Sequence, residues 1–163
     1  MVGELVVRGG HVMKGYWGDA AATDRALKPG PNPGEKVLHT GDLFRSDGEG
    51  YLYFVSRKDD IIKTRGEKVS PKEVENVLYA LGGVKEAAVV GVPDPVLGAA
   101  VKAVIVLADG ATLSAREVQA HCARHLEDFM VPRLVEFAQE LPKTDNGKIR
   151  RAQVRAAAVG GSA

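Results

Sequence analysis

Two kinds of hydrophobic pattern follow one another along the chain. In the first third, short apolar runs rich in β-branched and aromatic residues predict strands over 4–8, 37–40 and 51–55. Clusters of glycine and proline separate these runs, and the largest cluster, over 28–35, predicts a loop. These strands are too few to enclose a core, so we expect them to belong to a larger sheet structure.

From Asp60 onward, helical and strand patterns alternate. Apolar residues on both sides of Gly66 predict a small hairpin, and Ser70 with Glu73 predicts a helix that begins with a capping box. Its apolar positions recur at helical spacing as far as Leu81. The other predicted elements are strands over 87–90 (stopped at Pro93), 101–107 and 134–137, a loop over 141–148, and helices after a second capping box at Ser114 and Glu117 and over 150–159.

This order of elements predicts an α+β fold for the second part of the chain. We expect a small C-terminal domain over 59–163, with a three-stranded sheet flanked by helices plus a β-hairpin, and with residues 160–163 frayed. The β-rich segment 1–58 precedes it as part of a different domain. The charged run over 56–60 marks the boundary, because it separates the two kinds of sequence.

The composition excludes several classes of protein. Lys and Arg number 22 against 21 Asp and Glu, a net charge of +1, which argues against a nucleic-acid-binding protein. No apolar run approaches the roughly 18 residues of a membrane helix, and the N-terminus does not resemble a signal peptide. The single cysteine, Cys122, excludes an internal disulfide. We therefore expect a cytoplasmic protein.

Three polar residues are candidates for nucleotide chemistry. Asp42 follows a predicted strand and Gly41, so its carboxylate can accept hydrogen bonds from ribose hydroxyls, with Arg57 helping to hold the sugar. Lys148 lies in a loop beside Gly147, where its charge can reach a carboxylate and a phosphate. Taken singly, each residue is better explained as part of a surface turn.

A third cluster suggests a metal site. His121 and His125 are four residues apart on a predicted helix and flank Cys122. The glutamate of a metalloprotease motif and a third ligand are missing, so we interpret these residues as helix packing and predict no metal site. The chain also has no Walker loop and no nucleophile elbow.

The strongest signal is a series of motifs in a fixed order. The series is Gly3-Glu4-Leu5-Val6-Val7-Arg8-Gly9, Met13-Lys14-Gly15-Tyr16-Trp17, His39-Thr40-Gly41-Asp42, Arg57-Lys58-Asp59-Asp60-Ile61-Ile62-Lys63, Gly66-Glu67-Lys68-Val69-Ser70-Pro71-Lys72-Glu73-Val74-Glu75, Val131-Pro132 and Leu141-Pro142-Lys143-Thr144-Asp145-Asn146-Gly147-Lys148-Ile149-Arg150. In order and spacing it closely resembles the C-terminal part of the adenylate-forming enzymes, which include acyl-CoA synthetases, peptide-synthetase adenylation domains and luciferases.

The resemblance implies both an activity and roles for individual residues. These enzymes activate a carboxylate with ATP to form an acyl-adenylate, and a thiol then displaces AMP while a small C-terminal lid changes its pose. By resemblance, Asp42 and Arg57 bind the ATP ribose and Asp59 is the hinge. Lys148 is the catalytic lysine of adenylation. Gly66 and Lys68 line the tunnel for the thiol.

The same resemblance implies substrates and a missing partner. ATP and Mg²⁺ would be bound mainly by the large N-terminal domain, whose phosphate loop and acid pocket do not occur in these 163 residues. The partners are therefore that domain, a carboxylic acid and CoA, and we expect the fragment alone to be inactive. Without their usual neighbours, residues 1–58 are also expected to mediate self-association.

Two questions stay open at this stage. The Gly66 segment resembles CoA ligases more than carrier-loading enzymes, although an acyl carrier protein is an alternative acceptor. A basic group could bind CoA phosphates or a carrier protein, or could be a solvated helix face; it comprises Lys143, Arg150, Arg151 and Arg155. A non-catalytic lid-like binding module is a further alternative, which the presence of Lys148 in a loop disfavours.

Overall fold

The computed structural model describes residues 2–160 as two compact units, Met1–Asp59 and Asp60–Ala163. We describe each unit separately. The last helix extends to Gly160, where fraying was expected to begin, and residues 161–163 lie outside the described part. No helix within 2–160 combines the length and apolar character needed to cross a membrane.

The first unit is a four-stranded sheet organised around one long strand. Strand β3 pairs with β1 along one side and with β2 and β4 along the other, in every case antiparallel. A short helix, α1, precedes β2, and the Asp19 side chain caps it by accepting a hydrogen bond from the Ala22 amide. The elements are β1 (Val2–Val7), α1 (Ala20–Ala26), β2 (Leu27–Pro29), β3 (Lys36–Ser46) and β4 (Leu52–Arg57).

Two predictions for this unit are wrong. Strand β3 does not stop at Gly41 but continues to Ser46. Gly41 adopts a φ of +73°, which glycine allows, and the pairing of β3 with β1 and with β4 resumes after a shift in register. The predicted loop over 28–35 begins inside β2. Helix α1 was not predicted, since its alanine-rich sequence has no apolar periodicity.

The second unit contains a β-hairpin and a three-stranded sheet. The sheet has the order β7-β8-β9, with β7 and β8 antiparallel and β8 and β9 parallel. The elements are β5 (Ile62–Thr64), β6 (Glu67–Val69), α2 (Pro71–Tyr79), β7 (Val84–Asp94), β8 (Gly98–Leu107), α3 (Ala115–His125), β9 (Leu134–Phe137) and α4 (Arg151–Gly160), with a short 3₁₀ turn over Asp128–Met130. A second short 3₁₀ turn, over Lys58–Asp60, contains the boundary between the two units.

Both faces of this sheet are covered. Alternate residues of β7 point to opposite faces, so Val89 packs in the core shared with α2 and α3, whereas Val90 packs in the core shared with α4. Val74 and Val118 are fully buried on the first face, and Val154 is buried on the second. The two-sided burial explains why the strands of this sheet are almost continuously apolar.

Two side chains of α2 accept hydrogen bonds from backbone amides at the free edge of the sheet, on strand β7. The Val89 amide donates to Glu75 Oε1 at 3.0 Å, and Tyr79 Oη accepts from the Ala87 amide at 3.2 Å. Pro93, which has no N–H, lies four residues farther along the same strand. An edge that is capped and interrupted in this way is protected from pairing with another strand.

The predicted α+β fold, with its three-stranded sheet, helices and hairpin, is confirmed. The capping box at Ser114 is present, but Ser70 makes no side-chain capping hydrogen bond to α2. Helix α2 ends at Tyr79, two residues before the predicted Leu81, and β7 continues through Pro93. The proline is tolerated because β7 is an edge strand.

The first unit exposes apolar side chains on the strand β4, and this exposure generates a prediction. Leu52 and Phe54 are about half exposed on neighbouring positions of this edge strand. We expect the full chain to self-associate through residues 1–58 at tens of micromolar, and expect Phe54→Lys to shift it toward monomer in light scattering, since a lysine on an edge strand disfavours pairing.

Val96→Lys is the matched control, because Val96 is highly exposed but lies in the second unit. A chain that is monomeric without any substitution, or one that Val96→Lys dissociates equally well, would contradict this expectation.

Candidate functional site

Asp42 and Arg57 lie side by side. They are directly opposite each other in the β3–β4 ladder, and Arg57 Nη1 is 2.8 Å from Asp42 Oδ1. The guanidinium also lies against Gly41, where an added Cβ would be 3.3 Å from Arg57 Nη2. Gly41 therefore meets two requirements, a left-handed backbone and close approach of the arginine. The Asp42 carboxylate is left partly exposed, with acceptor capacity to spare.

Thr40 and Glu4 hold the backbone of this turn. Thr40 Oγ1 donates to the Leu5 carbonyl at 2.8 Å and accepts from the Asp42 amide at 3.1 Å. Glu4 Oε1 accepts from the Gly41 amide at 3.1 Å. The sequence motifs contain both Glu4 and Thr40, but no contact of either residue with the Asp42 turn was predicted. The Thr40–Leu5 and Glu4–Gly41 contacts join strands that are distant in sequence, whereas the Thr40–Asp42 contact is local.

The second carboxylate oxygen of Glu4 faces two basic groups. Glu4 Oε2 is 3.2 Å from Lys58 Nζ and 3.4 Å from His39 Nδ1. Burial opposes ionisation of this carboxyl, but the contacts with Lys58, His39 and the Gly41 amide outweigh it, so the pKa of Glu4 lies below its ordinary value. Glu4 is therefore a carboxylate at neutral pH.

The predicted hinge lies where the chain passes from one unit to the next. Lys58 is held by Glu4 within the first unit, and Asp60 lies 3.7 Å from Arg151 Nε within the second. Asp59, between them, is exposed, and within 2–160 its side chain makes no hydrogen bond or ion pair. The residues that flank Asp59 are thus anchored in different units.

Arg151 is also part of a buried ion pair. Its Nη2 is 2.6 Å from Glu75 Oε2, and the Glu75 side chain is almost fully buried. Burial raises the pKa of Glu75 above its ordinary value, although Arg151 and the Val89 amide oppose that shift. Through this one arginine, the first residue of α4 is fixed to α2 and lies next to the segment that follows the hinge.

Lys148 lies in a loop that hydrogen-bonds to itself. Thr144 makes three of these contacts: its carbonyl accepts from the Gly147 amide at 2.8 Å, its amide donates to the Lys148 carbonyl at 2.7 Å, and its Oγ1 accepts from the Lys148 amide at 3.1 Å. The Lys148 side chain is exposed and forms no ion pair within the described residues. The backbone at Lys148 is therefore fixed while its ammonium group is free to meet an anion.

The β5–β6 hairpin presents Gly66 and Lys68. Arg65 and Gly66 form its two-residue turn, with φ of 53° and 81°, the left-handed pair that a tight hairpin turn needs. Open space surrounds the position where a Cβ would project from Gly66. Lys63 and Lys68 face each other across the hairpin, a like-charge pair that is unfavourable without an anion nearby.

The four residues of the predicted basic group are all paired with acids. Lys143 contacts Glu86, and Arg150 is 3.8 Å from Asp145. Arg151 and Arg155 both lie near Asp60. Arg151 is the most buried of the four and is committed to the fold, whereas Lys143, Arg150 and Arg155 are each about two-fifths exposed, so their charges remain accessible to solvent or to a ligand.

The histidine–cysteine cluster packs within the second unit. His121 Nε2 is 3.0 Å from the Val77 carbonyl of α2, and the rings of His121 and His125 are 4.8 Å apart. Burial raises the pKa of the Cys122 thiol to about 11, so the thiol is neutral at physiological pH. Within residues 2–160, no group of three His, Cys, Asp or Glu side chains is arranged to hold a metal ion.

The predicted site residues thus fall into two groups. Asp42 and Arg57 form one pair in the first unit, whereas Lys148 and Gly66 lie on separate loops of the second unit.

Comparison with known proteins matches the chain along nearly its whole length. Residues 73–148 match the family model of the AMP-binding enzyme C-terminal domain. Over 153 residues, 94% of this chain, the sequence is 45% identical to the feruloyl-CoA synthase of an Amycolatopsis species. Over the same length it is 46% identical to the long-chain-fatty-acid–CoA ligase of Yersinia pestis.

The fold is similar to that of a solved structure with nucleotide. ATP-bound MatB from Rhodopseudomonas palustris matches 96% of this chain at 34% identity, with a TM-score of 0.86. The match covers 30% of that protein's chain. This chain likewise spans 30% of the Amycolatopsis protein and 26% of the Yersinia protein.

Proposed function

We propose that this chain, which is confirmed as similar to the C-terminal part of the adenylate-forming enzymes, supplies the hinge, the catalytic lysine and the thiol-tunnel loop of an ATP-dependent acid–thiol ligase. The observation that carries the proposal is Lys148, whose ammonium group is unpaired within 2–160 on a loop whose backbone is held by three hydrogen bonds to Thr144. A surface lysine has no need of such a rigid support.

In the first half-reaction, Lys148 stabilises negative charge. A carboxylate oxygen of the acid attacks the α-phosphorus of ATP, the bond to the bridging oxygen breaks, and pyrophosphate leaves with that electron pair. Lys148 approaches the acid's carboxylate and the α-phosphate and lowers the energy of the charge that builds up between them. Its ammonium group keeps its protons throughout.

The Asp42–Arg57 pair binds the nucleotide in this proposal. Asp42 accepts hydrogen bonds from the two ribose hydroxyls, and Arg57, whose Nη1 is 2.8 Å from Asp42 Oδ1, holds the carboxylate in its orientation. Mg²⁺ would accompany the phosphates and neutralise part of their charge. The described residues offer no three-ligand cluster for it, so we assign its binding to the remainder of the longer enzyme.

In the second half-reaction, the sulfur of the thiol attacks the acyl carbon and AMP leaves. The Gly66 turn would line the thiol's path, where the lack of a side chain leaves space for a narrow pantetheine arm. The facing lysines, Lys63 and Lys68, support CoA as the thiol, because its phosphates would relieve their repulsion. An acyl carrier protein is the alternative acceptor.

Asp59 is the hinge of the proposed enzyme. Rotation at this residue requires that its neighbours belong to different bodies, and Lys58 and Asp60 are tied to different units. We place the enzyme in the cytoplasm, since Cys122 is a free thiol. The two relatives are named for different acids, so the proposal concerns the reaction and not one acid.

The role of Lys148 can be tested in a fused enzyme, in which this chain replaces the matching segment of the Amycolatopsis feruloyl-CoA synthase. Lys148→Ala should lower acid-dependent ATP–pyrophosphate exchange by about 10²–10³-fold, the usual effect of removing one such stabilising group. Thioester formation from supplied acyl-adenylate should be nearly unchanged. Lys143→Ala, in the same loop, is the control. Equal loss in both half-reactions would show that Lys148 has only a structural role.

The Gly66 position should show the opposite pattern in the same enzyme. Gly66→Leu is expected to slow thioester formation by about 10²-fold, because a side chain would displace the thiol from its path, while pyrophosphate exchange is spared. Gly66→Asn separates bulk from backbone strain, since asparagine tolerates the left-handed conformation. If pyrophosphate exchange falls as much as thioester formation does in Gly66→Leu, the tunnel assignment is wrong.

A further inference from the structure

Glu4 is the point at which the nucleotide-binding turn and the hinge segment meet within the first unit. One oxygen of its carboxylate accepts from the Gly41 amide at 3.1 Å, and the other lies 3.2 Å from Lys58 Nζ. Gly41 immediately precedes Asp42, and Lys58 immediately precedes Asp59. Glu4 thus contacts the neighbour of each of two residues to which the proposed function gives a role.

The surroundings of Glu4 make this double contact specific. Its side chain is only 19% exposed, so its contacts are less screened by water than those of a surface carboxylate. His39 Nδ1 lies 3.4 Å from the same oxygen as Lys58, on the strand that carries Gly41. A change in the position of Lys58 therefore alters the position of the Glu4 carboxylate, which also accepts a hydrogen bond from the Gly41 amide.

Gly41 depends on this support. Its φ of +73° interrupts the regular ladder of β3, and its amide is directed to a side chain instead of a neighbouring strand. On the two sides of Gly41, Thr40 Oγ1 donates to the Leu5 carbonyl and accepts from the Asp42 amide, which fixes both neighbours of the glycine. Glu4 completes this arrangement and is the member of the set that also reaches the end of β4.

We propose that Glu4 is a positioning residue that couples the orientation of Asp42 to the conformation of the Lys58–Asp59 hinge segment. This inference rests on the proposed function, because it assumes that Asp42 binds nucleotide and that Asp59 is the pivot. In the longer enzyme, rotation at Asp59 would act on its anchored neighbour Lys58, and through the Lys58–Glu4 contact it would alter the nucleotide turn after adenylation. The coupling itself is a property of the first unit and can be measured without catalysis.

The test is a double-mutant cycle on the full chain, read by amide hydrogen exchange at Gly41 and Asp42. Lys58→Met should speed exchange at Gly41 by roughly twofold to fivefold, the effect of losing an ion pair of ordinary strength. Lys36→Met is the matched control, since Lys36 is exposed on β3 and makes no ion pair within 2–160. In a Glu4→Gln background, Lys58→Met should have no further effect, because the connecting charge is gone.

Two results would overturn the proposal. In the first, Lys58→Met changes exchange at Gly41 no more than Lys36→Met does. In the second, it changes exchange equally with and without Glu4→Gln, which would show an effect independent of Glu4. A purely structural role for Glu4 would make the turn less stable but would not produce coupling.

The fused enzyme adds a functional readout. Glu4→Gln should raise the KM for ATP several-fold, roughly the factor by which amide hydrogen exchange at Gly41 is accelerated, and should leave the KM for CoA unchanged. Equal changes in both constants would contradict positioning at the nucleotide. Absence of ATP–pyrophosphate exchange in the unsubstituted fusion would instead count against the proposed function. The double-mutant cycle read by amide hydrogen exchange on the chain alone would still decide whether Glu4 couples the two segments.

Discussion

The second unit depends on a single buried carboxylate. Glu75 reaches from α2 to accept a hydrogen bond from the buried Val89 amide on the edge strand β7, and it pairs with Arg151 at 2.6 Å. Removing one partner of such a buried pair costs roughly 3–5 kcal/mol, because the other charge is left without compensation. Because Arg151 lies three residues after Lys148 and also lies near Asp60, this one interaction connects the end of the Lys148 loop to the segment that follows Asp59.

An ion pair also anchors the residue on the other side of Asp59. Glu4 holds Lys58 as Arg151 holds Asp60, so two ion-pair anchors flank Asp59 and each belongs to a different unit. A residue without side-chain partners between two anchored neighbours is a natural place for backbone rotation. In our proposal, each unit moves as a body and carries its own part of the chemistry, with Asp42 on one side and Lys148 on the other.

Much of this could be predicted from the sequence, for identifiable reasons. The ordered motifs predict the resemblance and the α+β fold, and the capping box at Ser114 follows from local chemistry. The roles of Glu4 and Glu75 could not be predicted, because their contacts join residues 37 and 76 positions apart and leave no periodic trace. For the same reason Arg151 was grouped with possible phosphate ligands, although its charge is used within the fold. Ser70 was assigned a cap that it does not make, since sequence alone does not show where its side chain points.

The central claim is that this chain contributes catalytic groups that are inactive alone and essential in a complete enzyme. Acid-dependent ATP–pyrophosphate exchange tests it most directly, measured for the chain alone, for the remaining N-terminal part of the feruloyl-CoA synthase alone, and for the fusion of the two. The account predicts no exchange by the chain alone and exchange by the fusion well above that of the N-terminal part. Exchange catalysed by the isolated chain, or a fusion no faster than the N-terminal part by itself, would contradict it.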